Sequence, residues 1–169
     1  MVIPEIWKDI LRQSPQAVIA GGAVRDLWLE GPVKDIDVFI WNANWARPMF
    51  VPEGGIHIDT PNRNEEYEGT QILAIENFLV TDQDVQIIYI DRPFSEYIET
   101  FDLSTSYAWY NGGLHFEPEF MRTMDTGVIS IVNAQGSPNK INRRAQRVVE
   151  KYPNLTYTPL THVPEEIPF

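Results

Sequence analysis

The 169-residue chain has no cysteine. Disulfides, thiolate metal sites and cysteine nucleophiles are therefore excluded. Histidine is almost as scarce: His57, His115 and His162 stand far apart, which argues against a histidine-based metal centre. Cations are few, with 13 Lys and Arg against 24 Asp and Glu and a net charge of −11. A generic basic surface of the kind that neutralises nucleic-acid phosphates is ruled out. No apolar run approaches the roughly 20 residues that a bilayer span requires. The opening residues lack a basic region followed by an apolar one and a small-residue cleavage site, so no secretory signal is visible. A chain without cysteine, signal or span fits the cytoplasm. Two enzymatic signatures are missing as well: no serine sits in Gly-x-Ser-x-Gly, and no glycine-rich stretch leads into Lys-Ser/Thr.

What remains is enough for a core. Hydrophobic residues make up 43% of the chain and aromatics 12%, which excludes a disordered polymer and suits one domain. That domain is expected over residues 1–152. The last 17 residues carry four prolines and read as an extended tail over 153–169. No internal repeat stands out.

Periodicity predicts a helix over 4–13, a short strand over 16–20, a helix over 23–29 and a strand over 35–41. Residues 42–69 are weakly patterned and read as a loop with short elements. Strands are expected over 70–75 and 85–90, a short helix over 93–101, and a strand over 128–132. Residues 104–110 fit either helix or strand. A basic helix over 139–151 follows Ser137-Pro138 and stops at Tyr152-Pro153. The expected fold class is α/β (α+β), a short mixed sheet with helices mainly on one side.

The informative stretch runs from Val18 to Ile40. It reads as a strand, a Gly21-Gly22 turn, a helix containing Arg25 and Asp26, a Gly31-Pro32 stop, then a strand opening Lys34-Asp35-Ile36-Asp37. Glycine lets the backbone turn sharply and approach a ligand closely, and the helix that follows directs free N–H groups at the turn, a place for phosphate. Asp35 and Asp37 are two apart on a strand, so their side chains share a face. Two crowded carboxylates repel unless a cation lies between them, and hard oxygen donors suit Mg²⁺, with Mn²⁺ as a substitute. A phosphate cradle beside such a site is the equipment for transferring a nucleotidyl group. Seen alone, Asp35 and Asp37 better suit the capping and solvation of an edge strand, and it is the upstream Gly21-Gly22-Ala23-Val24-Arg25-Asp26 that favours catalysis. Arg25 is placed either to pair with Asp26 or Asp35 or to reach a triphosphate, and Lys34 either as a solvated flank or as a phosphate contact.

Gly21-Gly22-Ala23-Val24-Arg25-Asp26 followed by Asp35-Ile36-Asp37 resembles the signature of the nucleotidyltransferase superfamily, in the form found in CCA-adding enzymes and bacterial poly(A) polymerases. Those families read roughly G-G-x-V-R-D, a short helix, then D-h-D with h apolar. Residues 101–108, from Phe101-Asp102 through Ser106, resemble the ribose-recognising R-D-F-T-x-N-A segment. Phe101 stands where that segment has arginine, and Ser106 where it has asparagine. The resemblance covers about residues 16–110 and implies a minimal catalytic head, as in small stand-alone and phage-type nucleotidyltransferases. It implies an NTP substrate such as ATP, two metal ions, and an acceptor hydroxyl on RNA or a tRNA 3′ end. It also implies a third carboxylate on a neighbouring strand, for which Asp84 is the candidate and Asp82 and Asp102 the rivals.

Lys140, Arg143, Arg144, Arg147 and Lys151 place five of the thirteen cations within twelve positions. At helical spacing several share a side, either as a solvated face or as a phosphate or RNA contact. Trp41, Trp45, Tyr107, Trp109 and Tyr110 are candidates for base stacking, although aromatics in a small domain usually belong to the core. Two other readings stay open: nucleotidylation of a host protein or tRNA by a toxin-like effector, and a binding module that has kept the fold without catalysis.

Overall fold

The computed structural model describes residues 1–41, 50–58 and 72–161. The loop expected over 42–69 lies outside the described residues except at 50–58. So do Trp45, His162, the first two positions of the strand expected at 70–75, and the end of the tail.

Chain order is α1 (Glu5–Gln13), β1 (Val18–Ala20), α2 (Gly22–Trp28), β2 (Asp35–Trp41), β3 (Gly55–Ile58), β4 (Ile72–Val80), β5 (Gln83–Ile90), α3 (Phe94–Tyr97), β6 (Ala108–Tyr110), β7 (Leu114–Phe116), α4 (Pro118–Thr126) and α5 (Pro138–Lys151). Short 3-10 turns occupy Ile98–Thr100 and Ser104–Ser106. The seven strands form one sheet in the order β3-β4-β5-β2-β1-β6-β7. Among the described strands only the β2–β5 pair is parallel, so the sheet is mixed, as expected.

Register decides the two faces. Asp37 lies opposite Ala20 on β1 and Gln86 on β5, so the carboxylates of β2 share a face with Phe39, Asp84, Gln86 and Ile88. Ile36, Val38 and Ile40 point to the other face and are fully or almost fully buried. Helices cover both faces rather than mainly one. On the carboxylate side, Phe94 of α3 packs on Phe39 at 5.4 Å between ring centroids. On the far side, Trp7 of α1 packs on Tyr110 at 5.7 Å.

A second apolar cluster lies under α5, where Ile141, Ala145 and Val148 meet Leu103, Ile129 and Leu155. These three helical positions recur every three to four residues and define the buried stripe, leaving the basic residues on the remaining faces. The tail expected to extend away instead folds back at its start. Asn142 accepts from the Tyr157 hydroxyl at 2.6 Å and from the Leu160 N–H at 2.9 Å.

Residues 128–132 do not form the expected strand. Val128 bridges Thr156 and Ile131 bridges Leu103, so the segment divides its hydrogen bonds between two irregular neighbours and builds no ladder. The sequence reading also passed over α4, which has Pro118 at its first turn and ends on left-handed Gly127 at φ +75°. No helix among the described residues is long and apolar enough to cross a membrane.

Candidate active site

The site begins at the turn after β1. Gly21 has φ +76° and ψ −136°, a conformation that side chains other than hydrogen rarely adopt, so glycine is required there by backbone geometry. At Gly22 a Cβ would stand 3.1 Å from the Arg25 guanidinium, which folds back over the turn. The turn thus brings its backbone under a cation, one residue before the chain enters the core at Ala23 and Val24.

Beside this turn lies a cleft of about 390 Å³. One wall is β2, contributing Asp35, Asp37 and Phe39. A second is the segment from Tyr97 to Ser106, and the third is the inward side of α5, with Arg144, Arg147, Val148 and Lys151. Asp35 is exposed and Asp37 half-buried, so both carboxylates reach solvent in the cleft. Four cationic side chains (Arg25, Arg144, Arg147 and Lys151) face three carboxylates (Asp35, Asp37 and Asp102) in a protein that is strongly acidic as a whole. With Asp26 beneath the wall counted, the charges around the cleft balance, so it is far less acidic than the molecule as a whole.

Two ion-pair systems fix three of these cations. Arg144 Nη1 donates to Asp102 Oδ2 at 2.9 Å, and the other Asp102 oxygen accepts from the Leu103 N–H at 2.8 Å. Asp26 is 4% exposed and accepts from three groups. Arg25 Nε reaches its Oδ1 at 3.0 Å, the Tyr152 hydroxyl reaches the same oxygen at 2.7 Å, and Lys151 Nζ reaches Oδ2 at 2.8 Å. Lys151 also donates to the Pro32 carbonyl at 2.9 Å. Burial, helped by the hydrogen bond to Asp26 and its charge, holds the Tyr152 hydroxyl firmly in its neutral form.

Of the residues singled out in the sequence, the fold gathers Gly21, Gly22, Arg25, Asp35, Asp37, Asp102, Arg144 and Arg147 around one cleft. Four stand outside it. Asp26 is turned into the protein and is occupied by Arg25, Lys151 and Tyr152. Lys34 is exposed, and its carbonyl accepts from Gln83 Nε2. Arg143 is exposed; at 100° per residue it is rotated about a quarter turn from Arg144. Asp84 is exposed at the start of β5, directly opposite Asp35. Asp84 is not among the residues that line the cleft. Among the described residues no group of three or more Asp, Glu or His is placed to hold a metal ion.

Phe101, Leu103 and Ser106 line the cleft as part of the segment that resembles the ribose-recognising one; Lys151, expected only within the basic helix, lines it too, and Tyr97 and Thr100 line it with no site role expected from the sequence. For Lys151 the signal was present: 144, 147 and 151 recur at three and four residues and share one helix side. For the others it was not, because they converge through a 3-10 turn rather than a periodic element. Of the stacking candidates, Tyr107 and Tyr110 are buried, and Trp109 stacks on His115 at 5.1 Å on the β6–β7 hairpin.

No protein-family model and no curated protein sequence matches the chain. Solved structures do. The Thermotoga maritima CCA-adding enzyme complexed with tRNA superposes with a TM-score of 0.64 over 93% of this chain, at 14% identity. The fold is nucleotidyltransferase-like. The Bacillus stearothermophilus CCA-adding enzyme in complex with CTP matches with a TM-score of 0.60 and 17% identity over 93% of the chain. A CCA-adding enzyme with ATP gives a TM-score of 0.63 at 16% identity, again over 93%. The chain spans about two fifths of the length of these enzymes, between 40% and 42%. At such identities the nucleotidyltransferase-like head is shared as a fold, and its chemistry here is argued from its own residues.

Proposed function

We propose that the protein is a Mg²⁺-dependent nucleotidyltransferase that moves an NMP from an NTP to an acceptor hydroxyl, most plainly that of an RNA or tRNA 3′ end. The observation that carries this reading is the meeting of Asp35 and Asp37 with four cations in one cleft. A site for inorganic anions alone has no use for paired carboxylates, and a site for cations alone has no use for Arg25, Arg144, Arg147 and Lys151.

The donor set fits a hard divalent ion: two carboxylates on one strand face, both open to the cleft, with no sulfur or imidazole nearby. Asp35 and Asp37 would hold it. When bound, Mg²⁺ supplies charge neutralisation of the phosphates and lowers the pKa of a hydroxyl. In the transfer, the acceptor oxygen forms a bond to the α-phosphorus while the bond to the bridging oxygen breaks. Pyrophosphate leaves with that electron pair, and the hydroxyl proton passes to solvent. Arg25 and Lys151 would meet the negative charge that accumulates on the departing phosphates, and their shared anchor at Asp26 holds them in the cleft wall before a ligand arrives. Arg144 and Arg147 line the far wall, where sugar, base or acceptor phosphate would lie. Two of the structural neighbours are described with tRNA and with ATP, which agrees with this substrate class.

A second reading, nucleotide binding without transfer, is favoured by one observation: Asp84 stays outside the cleft and no three-acid group forms among the described residues. The deciding experiment incubates the protein with Mg²⁺ or Mn²⁺, each α-labelled NTP in turn, and total small RNA or cell lysate, beside an Asp35→Ala/Asp37→Ala double variant. Label on RNA that disappears in the variant supports the transferase. Label on protein moves the acceptor to a polypeptide, as for an effector. No label with any NTP, from a folded protein, overturns catalysis and leaves the binding module.

A further inference from the structure

Asp26, the last residue of the Gly21–Asp26 motif, lies beneath the cleft wall with 4% of its surface exposed. Both of its oxygens are committed. Oδ1 receives Arg25 from the Gly-Gly turn, and Oδ2 receives Lys151 from the last turn of α5, 125 residues later. Arg25 and Lys151 both line the cleft. Left alone, two like charges this close would repel and spread into solvent; between them the carboxylate removes one unit of charge and fixes both directions. Tyr152 closes the arrangement, donating to Asp26 while its ring lies 5.9 Å from the Arg25 guanidinium and 5.7 Å from Lys151 Nζ. Gly31 packs so closely on Tyr152 that a Cβ there would fall 2.1 Å from the hydroxyl. The whole cluster is thus over-determined in a way that a surface ion pair is not.

We infer that Asp26 is a positioning residue that gathers Arg25 and Lys151 into a preformed clamp for the polyphosphate of the ligand. The inference rests on the NTP reading of the cleft. It commits to an anionic chain of at least two phosphates, since two fixed cations from separate elements match two phosphate groups better than one.

Charge and position give opposite signs here, which makes the inference testable. Asp26→Asn removes a negative charge from beneath the cleft. If net charge alone governed binding, the variant would hold polyphosphate more tightly. If Asp26 acts by positioning, affinity falls despite the added positive charge, because Arg25 and Lys151 are released from their shared anchor. The measurement is calorimetric binding of tripolyphosphate and of each NTP with Mg²⁺ to the full chain, with the thermal transition recorded for every variant. The expected result is a Kd raised about tenfold in Asp26→Asn, the size of losing a charge-assisted hydrogen bond. Tyr152→Phe loses one of the three donors to Asp26 and is expected to lower the thermal transition.

Wild-type protein that binds tripolyphosphate and NTP, with an Asp26→Asn variant that binds equally or more tightly, overturns the clamp and leaves the NTP reading standing. Wild-type protein that binds neither overturns both. Should Asp26→Asn fail to fold, Lys151→Gln replaces it, since that side chain is 28% exposed at a helix end. Unchanged affinity in Lys151→Gln overturns the clamp, and a Kd raised about tenfold supports it.

Discussion

Asp35 of β2 and Asp84 of β5 stand directly opposite one another in a parallel pair of strands, yet only Asp35 lines the cleft. Shared register places the two side chains on one face. The cleft, however, is walled by β2, the Gly-Gly turn, the 97–106 segment and α5, and no residue of β5 lines it. Asp84 therefore lies outside the cleft wall and is exposed to water.

On the proposed reading the two positions respond differently to substitution. Asp37→Asn is expected to reduce transfer by about a thousandfold, the scale of losing a few kcal/mol of charge stabilisation at a metal-assisted step. Asp84→Asn is expected to leave it within about twofold. Steady-state rates with labelled NTP check both, and an Asp84→Asn variant as inactive as Asp37→Asn would restore a three-carboxylate site.

The Gly31–Tyr152 contact gives a prediction about stability. A Cβ on Gly31 would fall 2.1 Å from the Tyr152 hydroxyl and 2.9 Å from two ring carbons, so the ring must move off Asp26. Gly31→Ala is expected to cost about 2 kcal/mol, typical of overpacking a tight site. In a Tyr152→Ala background the same change should cost well under half of that, because the obstructing ring is gone. Urea denaturation of the four members of this cycle measures the coupling.

How much of this was legible in the sequence depended on how local the signal is. The unit from β1 through β2 was readable because the Gly-Gly turn, the helix stop at Gly31-Pro32 and the Asp-x-Asp strand are each written within a few residues. Strand β2 was placed at its observed bounds. The partner choice of Asp26 was not readable: Arg25 is its neighbour, but Lys151 and Tyr152 lie more than 120 residues away and reach it only after α5 docks. Residues 128–132 misled because Val-Ile-Ser-Ile-Val has strand composition, while the surrounding chain offers two bridges in place of a partner strand. The make-up of the cleft wall, which leaves out Asp84 and Arg143, depends on tertiary packing and on the rotation of α5. Neither is written in spacing alone.

The Asp102–Arg144 pair is expected to tie the ribose-like segment to α5. Asp102 is also a backbone acceptor, receiving the Val132 N–H at 2.7 Å, so it joins three segments at once. Its side chain is only 13% exposed, which makes removal of its cation costly. Arg144→Ala should destabilise the fold by about 1–2 kcal/mol, and Arg144→Lys by less, since a lysine restores the charge without the planar fork. A double-mutant cycle with Asp102→Asn should return a coupling of about 1 kcal/mol. A coupling near zero would mean that solvent screens the pair.

Alkaline pH should expose two buried phenols. Burial is the main cause that pushes Tyr107 up to about 12, with the carboxylates of Glu119, Asp102, Glu99 and Glu117 adding to it. Tyr89 is likewise pushed up to about 12 by burial, against a lowering by its bond to the Phe50 backbone. In the unfolded chain both ionise near 10. The folded state keeps them protonated while the unfolded state loses protons, so their contribution is complete below pH 10 and is lost as pH rises from 10 toward 12. The thermal transition should therefore be flat with respect to these groups up to pH 10 and fall steeply above it. Tyrosinate absorbance should show a late-ionising fraction that collapses with unfolding. Tyr107→Phe forfeits the hydroxyl's 2.7 Å bond to the Phe101 carbonyl, at about 1 kcal/mol near neutrality. The same variant has one fewer phenol to ionise, so its stability should decline less between pH 10 and 12. The wild-type and variant curves must then converge at high pH, and parallel curves would show that Tyr107 ionises normally in the folded protein.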